Sequence, residues 1–460
     1  MEIKIFNFGP IKTFEFDLSK DLVVCYGKNN IGKSYGISVV YLLLNRLLKP
    51  DYSQLETIIR SEVKNKKNQT LQKKIREEQE CNITGNINNM IRRVLDKVLS
   101  ETLENAFKNS FGQLNEIKNI NTKNAPTIQI NVLSHSITIA VGQKVQVKKF
   151  SLNKNVFGKF PVEEDLYIEK EDRFVLGLPK TAPMSFTDSL SVFITDQINR
   201  IFDHIKIEFG EIYFLPASRY GIYSGMQSLF PIIAELSKSR GYVKGKIELP
   251  TMSEPIADYI LRLSEIRGIA VRNKGLNDTV RYIEKEILGG EVNFDVDKKA
   301  LTYSPGDSGL TLNMNSVSSM VAELSPFVAF IKYILMENTG KPGTVKPVIF
   351  IEEPEAHLHP EAQVLLAEMF VKLVTAGVKV IVTSHSNYLF NKFSNMLISK
   401  SLTTETFVPI LLMQEKQGSV SRLMEADELG IEDENFMDTA EELFEEREYA
   451  MALLDKDSDD

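Results

Sequence analysis

The sequence predicts an α/β fold with a mostly parallel core sheet, an antiparallel β region at the N-terminus and an inserted arm of helices and strands. An apolar strand, Val23–Tyr26, precedes a glycine-bounded loop and the largely apolar helical run Ile37–Leu48. Two further apolar runs, Pro347–Ile351 and Val378–Val382, are typical of strands covered on both faces of a parallel sheet. Near the start, Glu2–Phe8 alternates apolar and polar residues, which favours a half-buried strand in a hairpin.

The glycine-bounded loop fits the pattern G-x-x-x-x-G-K-[ST], the phosphate-binding P-loop. Gly27 and Gly32 can adopt backbone angles that other residues avoid, so successive N–H groups can turn inward around an anion. Lys33 is placed to reach the outer phosphates of a nucleotide, and the Ser34 hydroxyl to bind Mg²⁺. The predicted nucleotide-binding residues of this stretch are Gly27, Lys28, Asn29, Asn30, Ile31, Gly32, Lys33, Ser34 and Tyr35.

Polar residues follow both of the later apolar strands. Strand ends of an α/β sheet lie on the same side as the P-loop, so these residues are expected near the phosphates. Glu352 is placed to hold Mg²⁺ directly or through water, and Glu353 to orient or deprotonate an attacking water. His385 follows the second strand, level with Glu353, and is a candidate to sense or stabilise the γ-phosphate; the alternative is a buried structural histidine.

Three other positions have both a structural and a functional interpretation. Ser318 and Ser319 precede a helix, so they either cap it or bind the terminal phosphate of a nucleotide held by another subunit. Arg219 follows the strand Glu211–Leu215 and either reaches a phosphate or a neighbouring subunit, or bonds to loop carbonyls. Phe8 or Ile11 either stacks on a base or packs in the core.

Composition excludes several classes of protein. The 460 residues are 43% hydrophobic and 25% charged, which is typical of a soluble globular chain of two or three domains. The apolar runs are too short to cross a bilayer, and no secretory signal opens the sequence. Two cysteines, one of them in the P-loop strand, favour a reducing compartment. We therefore expect a cytoplasmic protein without a membrane partner.

Charge is distributed unevenly. The formal net charge is −8, but residues 425–460 hold sixteen acidic and two basic residues, so the remainder is mildly basic. This acidic segment is either a solvated end, a partner-docking surface or a cover for a basic groove. The basic residues of the inserted region form either a solvated helix surface, which we favour, or a contact surface for nucleic acid; they are Lys64, Lys66, Lys67, Lys73, Lys74 and Arg76.

With these motifs in place, the chain resembles the ABC-type P-loop ATPases of the OLD (overcoming lysogenization defect) and RecF-like group. The string IEEPEAHLHP is the most specific element, and the strings IFNFGPIKTFEFDL and FLPASRYGI are also similar. The resemblance covers residues 1–50 and about 205–445. It implies ATP and Mg²⁺ as cofactors, Glu352 as the acidic residue linked to Mg²⁺, Glu353 as the catalytic residue and His385 as the switch histidine. It also implies that Ser318 and Ser319 form the signature segment, which completes a site across a dimer.

The sequence departs from that group at two positions. Glu352 replaces the more frequent aspartate, and Met320 stands where the signature segment usually has glycine. Glycine lets a backbone approach phosphate closely, so Met320 predicts slow turnover or an ATP that mainly holds a dimer together. After His385 there is no acidic-glycine pattern of a TOPRIM nuclease. What remains resembles the ATPase subunit of two-gene bacterial anti-phage defence systems of the Septu or PARIS type.

The leading hypothesis is an ATPase that dimerises, or forms a higher oligomer, around ATP–Mg²⁺ and regulates a separate nuclease or toxin. The alternatives are a DNA-binding repair or recombination ATPase and an ATP-clamped scaffold that does not hydrolyse. The predicted units are residues 1–50 and 205–424 as the two parts of the ATPase domain, 51–204 as an inserted helical and β-rich arm, and 425–460 as an acidic helical tail.

Overall fold

The computed structural model describes residues 1–50, 54–64, 66–133, 135–162, 167–179, 186–238, 251–267, 273–306, 308–336, 345–432, 443–449 and 451. The helices are Lys33–Leu48 (α1), Leu55–Val63 (α2), Lys66–Glu78 (α3), Thr84–Phe111 (α4), Phe186–Glu208 (α5), Arg219–Lys238 (α6), Glu254–Ser264 (α7), Lys274–Tyr282 (α8), Ser319–Ala329 (α9), Pro360–Thr375 (α10) and Asn387–Ile398 (α11). Two of them continue as π-helical turns, α8 into Ile283–Leu288 and α9 into Phe330–Leu335.

The strands begin with the N-terminal group Glu2–Phe8 (β1), Ile11–Asp17 (β2) and Leu22–Tyr26 (β3). The inserted region adds Glu80–Asn82 (β4), Thr127–Val132 (β5), His135–Val141 (β6), Val145–Ser151 (β7), Asn155–Val162 (β8), Tyr167–Glu169 (β9) and Arg173–Pro179 (β10). The remainder of the chain adds Ile212–Leu215 (β11), Gly290–Asp295 (β12), Ala300–Pro305 (β13), Leu312–Asn313 (β14), Val348–Glu352 (β15), Lys379–Thr383 (β16), Phe407–Glu415 (β17), Gly418–Leu423 (β18), Ala426–Asp427 (β19) and Gly430–Ile431 (β20).

One half of the large sheet is parallel and contains the predicted nucleotide-binding strands. The order is β11-β15-β16-β3-β17, and each neighbouring pair is parallel. Within this half, Glu352 of β15 lies opposite Thr383 of β16, and Thr383 lies opposite Cys25 of β3. Because the three strands are in register and parallel, the loops that follow them leave the sheet at one edge.

The other half of the same eleven-stranded sheet continues as β18-β2-β1-β5-β6-β7. Here β18 is antiparallel to β17 and parallel to β2, and the pairs from β2 to β7 are antiparallel. The predicted α/β fold class, with a parallel core and an antiparallel N-terminal region, is confirmed. Strand β18 was not predicted, because its sequence Gly418–Leu423 is mostly polar and its outer residues are exposed.

The region 51–204, predicted as an inserted arm, contributes to two different sheets. Strand β5 pairs with β1, so β5, β6 and β7 extend the large sheet. Strands β4, β8, β10 and β9 instead form a separate four-stranded sheet, against which α3 and α5 pack. The longest helix of this region is α4, which has 28 residues. Its apolar face is buried along most of its length, and such packing stabilises a helix beyond its intrinsic propensity.

Helix α4 also packs along β7, the last strand of the large sheet. The Asp96 carboxylate accepts a hydrogen bond from the Val147 N–H at 2.7 Å, and the Glu104 carboxylate accepts one from the Val145 N–H at 3.1 Å. The Arg92 guanidinium donates to the Val147 carbonyl at 3.0 Å. These side chains satisfy backbone groups of β7 that would otherwise be open to pairing with another chain.

The parallel strands are apolar throughout because both faces of the sheet are covered. In β3, Val23 and Cys25 pack with α1, α4 and α5 on one side, whereas Leu22, Val24 and Tyr26 pack with α9, α10 and α11 on the other. All five of these residues are fully buried. The continuous apolar pattern that predicted a parallel strand therefore has the expected physical cause.

The structure corrects two boundaries. The sequence favours a turn at 216–221 and a helix over 231–240. In the structure α6 begins earlier, at Arg219, and runs to Lys238, so the turn is shorter than predicted. Residues 239 and 240 lie outside the described residues. Of the acidic helix predicted from Asp438 to Leu454, residues 443–449 are helical, and 433–442, 450 and 452–454 lie outside the described residues. Among the described helices, none combines the length and apolar character that crossing a bilayer requires.

Candidate nucleotide-binding and catalytic site

The P-loop adopts a backbone that requires its glycines. Gly27 and Gly32 have φ values of 141° and 99°, and Asn30 also has a positive φ of 62°. A Cβ on Gly27 would lie 2.5 Å from the Leu412 carbonyl oxygen, and one on Gly32 would lie 2.8 Å from Pro10 Cγ. Because β17 and the turn between β1 and β2 enclose the loop this closely, neither position can hold a side chain. Helix α1 begins directly after Gly32.

The predicted P-loop residues divide into an inner and an outer set. Lys28, Asn29 and Asn30 are exposed at the rim, whereas Ile31 is buried. Tyr35 is 38% exposed, and its ring centroid lies 5.1 Å from that of Phe111 at the end of α4. The exposed residues are available to a ligand, and Tyr35 presents an aromatic surface beside them.

Lys33 lies inside the loop. Its side chain is buried, and Nζ donates hydrogen bonds to the Gly27 carbonyl at 2.7 Å and the Lys28 carbonyl at 2.8 Å. Burial lowers the pKa of this ammonium, while the nearby Glu353 and Glu355 carboxylates act in the opposite direction. A buried cation bonded only to neutral carbonyls is a good partner for a phosphate anion.

Ser34 and Glu352 lie close to each other. The Ser34 hydroxyl and the Ala217 backbone N–H favour the ionised form of the Glu352 carboxyl. Burial, reinforced by the neighbouring Glu353, nevertheless raises the pKa of Glu352 to about 7. The nearby Arg219 guanidinium opposes this rise without cancelling it.

The Ser34 and Glu352 pair fits Mg²⁺. Both donors are oxygens, which Mg²⁺ prefers, and a cation would stabilise the ionised form of Glu352. Among the described residues, no group of three or more His, Cys, Asp or Glu side chains is placed to hold a metal. Mg²⁺ that binds together with a nucleotide does not need such a group, because phosphates and water supply most of its ligands.

Backbone hydrogen bonds hold the three strand ends together. The Glu353 N–H donates to the Thr383 carbonyl at 3.0 Å, and the Ser384 N–H donates to the Cys25 carbonyl at 3.0 Å. Glu353 itself has a left-handed backbone with a φ of 40°, an uncommon conformation for a residue other than glycine. The structure thus brings Glu353, His385 and the P-loop to one edge of the sheet, as the strand assignments predicted.

Glu355 belongs to this group, although the sequence argument assigned it no role. The whole residue is 4% exposed, and Oε1 accepts hydrogen bonds from the Ser384 hydroxyl at 2.7 Å and the His385 N–H at 2.8 Å. The same oxygen lies 3.5 Å from His385 Nδ1. The only sequence signal was the run of acids Glu352, Glu353 and Glu355 after an apolar strand.

Arg219 has the structural role. It is 1% exposed and donates to the carbonyl oxygens of Pro216, Glu323 and Glu352 at 3.1–3.3 Å. Burial lowers the pKa of its guanidinium. Bonded to the Glu352 carbonyl, Arg219 supports the acidic strand end from within the protein.

Ser318 and Ser319 lie at the start of α9. Ser318 is the N-cap of α9, and its hydroxyl accepts a hydrogen bond from the Val321 N–H at 3.4 Å. Both serines are exposed, and in the described part of the chain no hydrogen bond or ion pair joins either of them to the P-loop. Met320 is half-buried against the core. Ser319 lines a cleft of about 470 Å³ together with Tyr220, Asn315, Glu323 and His357.

Two further candidates have structural explanations. Phe8 and Ile11, considered as base-stacking residues, are fully buried and belong to the core. On α3, Lys73 and Lys74 are exposed and form ion pairs with Glu77 and Glu78 one turn later, at 3.7 and 3.9 Å. The side chains of Lys66 and Lys67 lie outside the described residues.

A P-loop on a parallel sheet, with strand-end carboxylates and a histidine beside it, defines a P-loop ATPase of the ABC type. Consistent with this, residues 1–390 match the family model described as AAA ATPase domain (AAA_15), and the chain belongs to that family. No curated relative matches the sequence.

Solved structures with a similar architecture are heads of SMC proteins. The SMC head domain from Thermotoga maritima is 10% identical, with 92% of this chain and 98% of that chain covered and a TM-score of 0.36. The Smc head domain with an extended coiled coil, bound to the C-terminal domain of ScpA and derived from Pyrococcus furiosus, is 9% identical, with 97% and 98% covered and a TM-score of 0.38.

Proposed function

We propose that this protein hydrolyses ATP as a homodimer or higher oligomer that closes around ATP–Mg²⁺, and that the ATP cycle controls a separate effector, a nuclease or a toxin, in bacterial anti-phage defence. The observation that carries the ATPase part is the convergence of Lys33, Ser34, Glu352, Glu353 and His385 at one edge of the sheet.

Each side chain has a role that follows from its position. Lys33, inside the loop, binds the outer phosphates in place of the two carbonyls that it contacts. Ser34 and Glu352 hold Mg²⁺, which when bound neutralises phosphate charge. Glu353, the residue directly after Glu352, orients and deprotonates the attacking water. His385 contacts the γ-phosphate and reports its loss.

The exposure of Ser318 and Ser319, the proposed signature segment, supports the oligomer. Ser318 and Ser319 are exposed at the start of α9, and nothing in the described part of the same chain bonds them to the P-loop. A second chain that places its own α9 over the P-loop would supply N–H groups and hydroxyls to the terminal phosphate. Control of a separate effector is supported by the string IEEPEAHLHP, which resembles the corresponding string of the defence ATPases.

The test measures phosphate release by the full chain with ATP and Mg²⁺, and compares it with Lys33→Met. Wild-type turnover that this substitution abolishes supports the ATPase. Affinity purification with the products of neighbouring genes, with and without ATP, then tests the effector. An ATP-dependent partner supports the proposal, whereas a chain that retains DNA and no protein partner contradicts it.

A DNA-binding repair ATPase is the second candidate, favoured by the exposed cations Lys64, Lys73 and Lys74. Neutralising them to Gln would then weaken DNA binding and flatten its salt dependence. The ion pairs of Lys73 and Lys74 with glutamates on the same helix argue for a solvated surface instead. Absence of DNA binding at low salt would exclude this candidate.

An ATP-clamped scaffold is the third candidate, and Met320 favours it. In a scaffold, ATP would stabilise the oligomer without being consumed. Glu353→Gln would then leave phosphate release unchanged, since the wild type would release none.

A further inference from the structure

We propose that Glu355 is a positioning residue of the ATPase site, whose carboxylate orients the His385 imidazole so that Nδ1 faces the protein interior and Nε2 faces the site. This inference rests on the proposed ATP hydrolysis and assigns a role to a residue outside the P-loop, the Mg²⁺ pair and the water-activating glutamate.

The contacts place Glu355 and His385 in one rigid unit. Glu355 Oε1 accepts from the His385 backbone N–H at 2.8 Å and from the Ser384 hydroxyl at 2.7 Å, and it lies 3.5 Å from His385 Nδ1. One oxygen therefore fixes the backbone and faces the ring of the same residue. The Ser384 N–H bonds to Cys25 of the P-loop strand, so the unit is also tied to the nucleotide-binding loop.

The ring geometry determines which nitrogen is available. A carboxylate oxygen only accepts hydrogen bonds, so Oε1, at 3.5 Å, favours the His385 tautomer that carries its hydrogen on Nδ1. Nε2 is on the opposite side of the ring, and the His385 side chain is 41% exposed. Nε2 then accepts a hydrogen bond in the neutral ring and donates one to a phosphate oxygen in the imidazolium.

The burial of Glu355 is not explained by packing alone. Its side chain is 3% exposed, and its second oxygen, Oε2, is buried and accepts no hydrogen bond from any described residue. The large majority of buried side-chain oxygens have a hydrogen-bond partner, so an unpartnered Oε2 needs an explanation. Its charge also acts on the site, since Glu355 is one of the two carboxylates that oppose the lowering of the Lys33 pKa. A neutral side chain of the same shape would keep the contacts of Oε1 and lose this charge.

The test compares ATP turnover of the full chain with that of Glu355→Gln, which keeps an oxygen acceptor for Ser384 and His385. We expect kcat to fall about tenfold with KM for ATP unchanged, because the negative charge that holds the His385 ring with its Nδ1 hydrogen toward Oε1 is lost. In a His385→Ala background, the same substitution should cause no further loss. Glu361→Gln is the matched control, because Glu361 also lies beside a histidine, 4.0 Å from His359, but both of these side chains are exposed.

An equal fall of kcat in the two backgrounds, an unchanged kcat, or a rise in KM alone would overturn the inference. If Glu355→Gln does not fold, the tautomer is measured in the wild type by ¹⁵N-labelled histidine NMR, with His385 assigned by its loss in His385→Ala. A neutral His385 ring with its hydrogen on Nε2 overturns the inference, and one on Nδ1 supports it. A wild type without ATP turnover contradicts the proposed function, while the tautomer remains measurable.

Discussion

The carboxyl edge of the parallel strands holds the residues proposed for chemistry, and the start of α9 holds those proposed for assembly; the two regions differ in construction. At the strand edge, Lys33 and Glu355 are buried, and backbone hydrogen bonds join the loops of β15, β16 and β3. At the start of α9, Ser318 and Ser319 are exposed; the Ser318 hydroxyl accepts a capping bond, and its carbonyl accepts a bond from the Ala322 N–H.

The difference has a physical reason. Charged groups act strongly on a reacting phosphate only when they are preorganised away from water, so the half that performs chemistry must be built within one chain. The half that a partner brings must first be exposed to solvent. The comparison therefore predicts that changes at the strand edge affect chemistry, whereas changes at α9 affect assembly.

The largest effect is expected at Glu353. Glu353→Gln removes the group that activates water, and we expect kcat to fall by roughly 10²- to 10⁴-fold while ATP is still bound. Phosphate release and binding of a fluorescent ATP analogue measure the two separately. Size-exclusion chromatography with ATP should show the variant retained as an oligomer. Unchanged phosphate release would contradict the assignment of the chemistry to the strand edge and of assembly to the start of α9.

The next effect concerns α9. Ser319→Arg places a long cation on the exposed segment without touching the cap of Ser318, so we expect turnover to fall roughly tenfold at low protein concentration, with stability changed by less than ~0.5 kcal/mol. Turnover measured against protein concentration checks this. Thr404→Arg, at another exposed hydroxyl residue, is the control. A loss that does not depend on concentration would place Ser319 in the chemistry of its own chain.

The third effect is a pH dependence at Glu352. Its pKa of about 7 exceeds the ordinary value of 4.5, so the folded state holds a proton that the unfolded state releases between these values. Stability without nucleotide should therefore fall as pH rises from about 4.5 to 7 and should be lowest above 7. Glu352→Gln should lose less stability over this range, which urea unfolding at several pH values measures. Mg²⁺ with ATP should reduce the loss in the wild type, because a cation favours the ionised carboxylate.

The smallest effect is expected for Met320→Gly. Glycine near the start of α9 costs the helix roughly 0.5–1 kcal/mol, but it lets the backbone approach a phosphate more closely. We expect turnover to rise by a few-fold, with a lower thermal unfolding midpoint. Met320→Ala separates the two effects, since alanine shortens the side chain without freeing the backbone. Slower turnover in Met320→Gly would show that the methionine supports the segment.

Much of the site was predictable because its signals are local in the sequence. The P-loop is a contiguous string, its glycines are required by the chain's own backbone angles, and β15 and β16 are apolar because both of their faces are covered. Each polar residue that follows such a strand could be placed at the same edge without knowledge of distant contacts. For this reason Glu352, Glu353 and His385 were expected beside a loop 319 positions before Glu352.

Only the tertiary structure decided what depends on long-range packing. It determined that Glu355 turns inward to bind Ser384 and His385, that Arg219 is buried on carbonyls, and that β5 pairs with β1 within the predicted insertion. Hydrogen bonds between segments 29 to 133 positions apart leave no periodic pattern in either segment. The residue types were visible in the sequence, but their partners became visible only once the strands were placed in order.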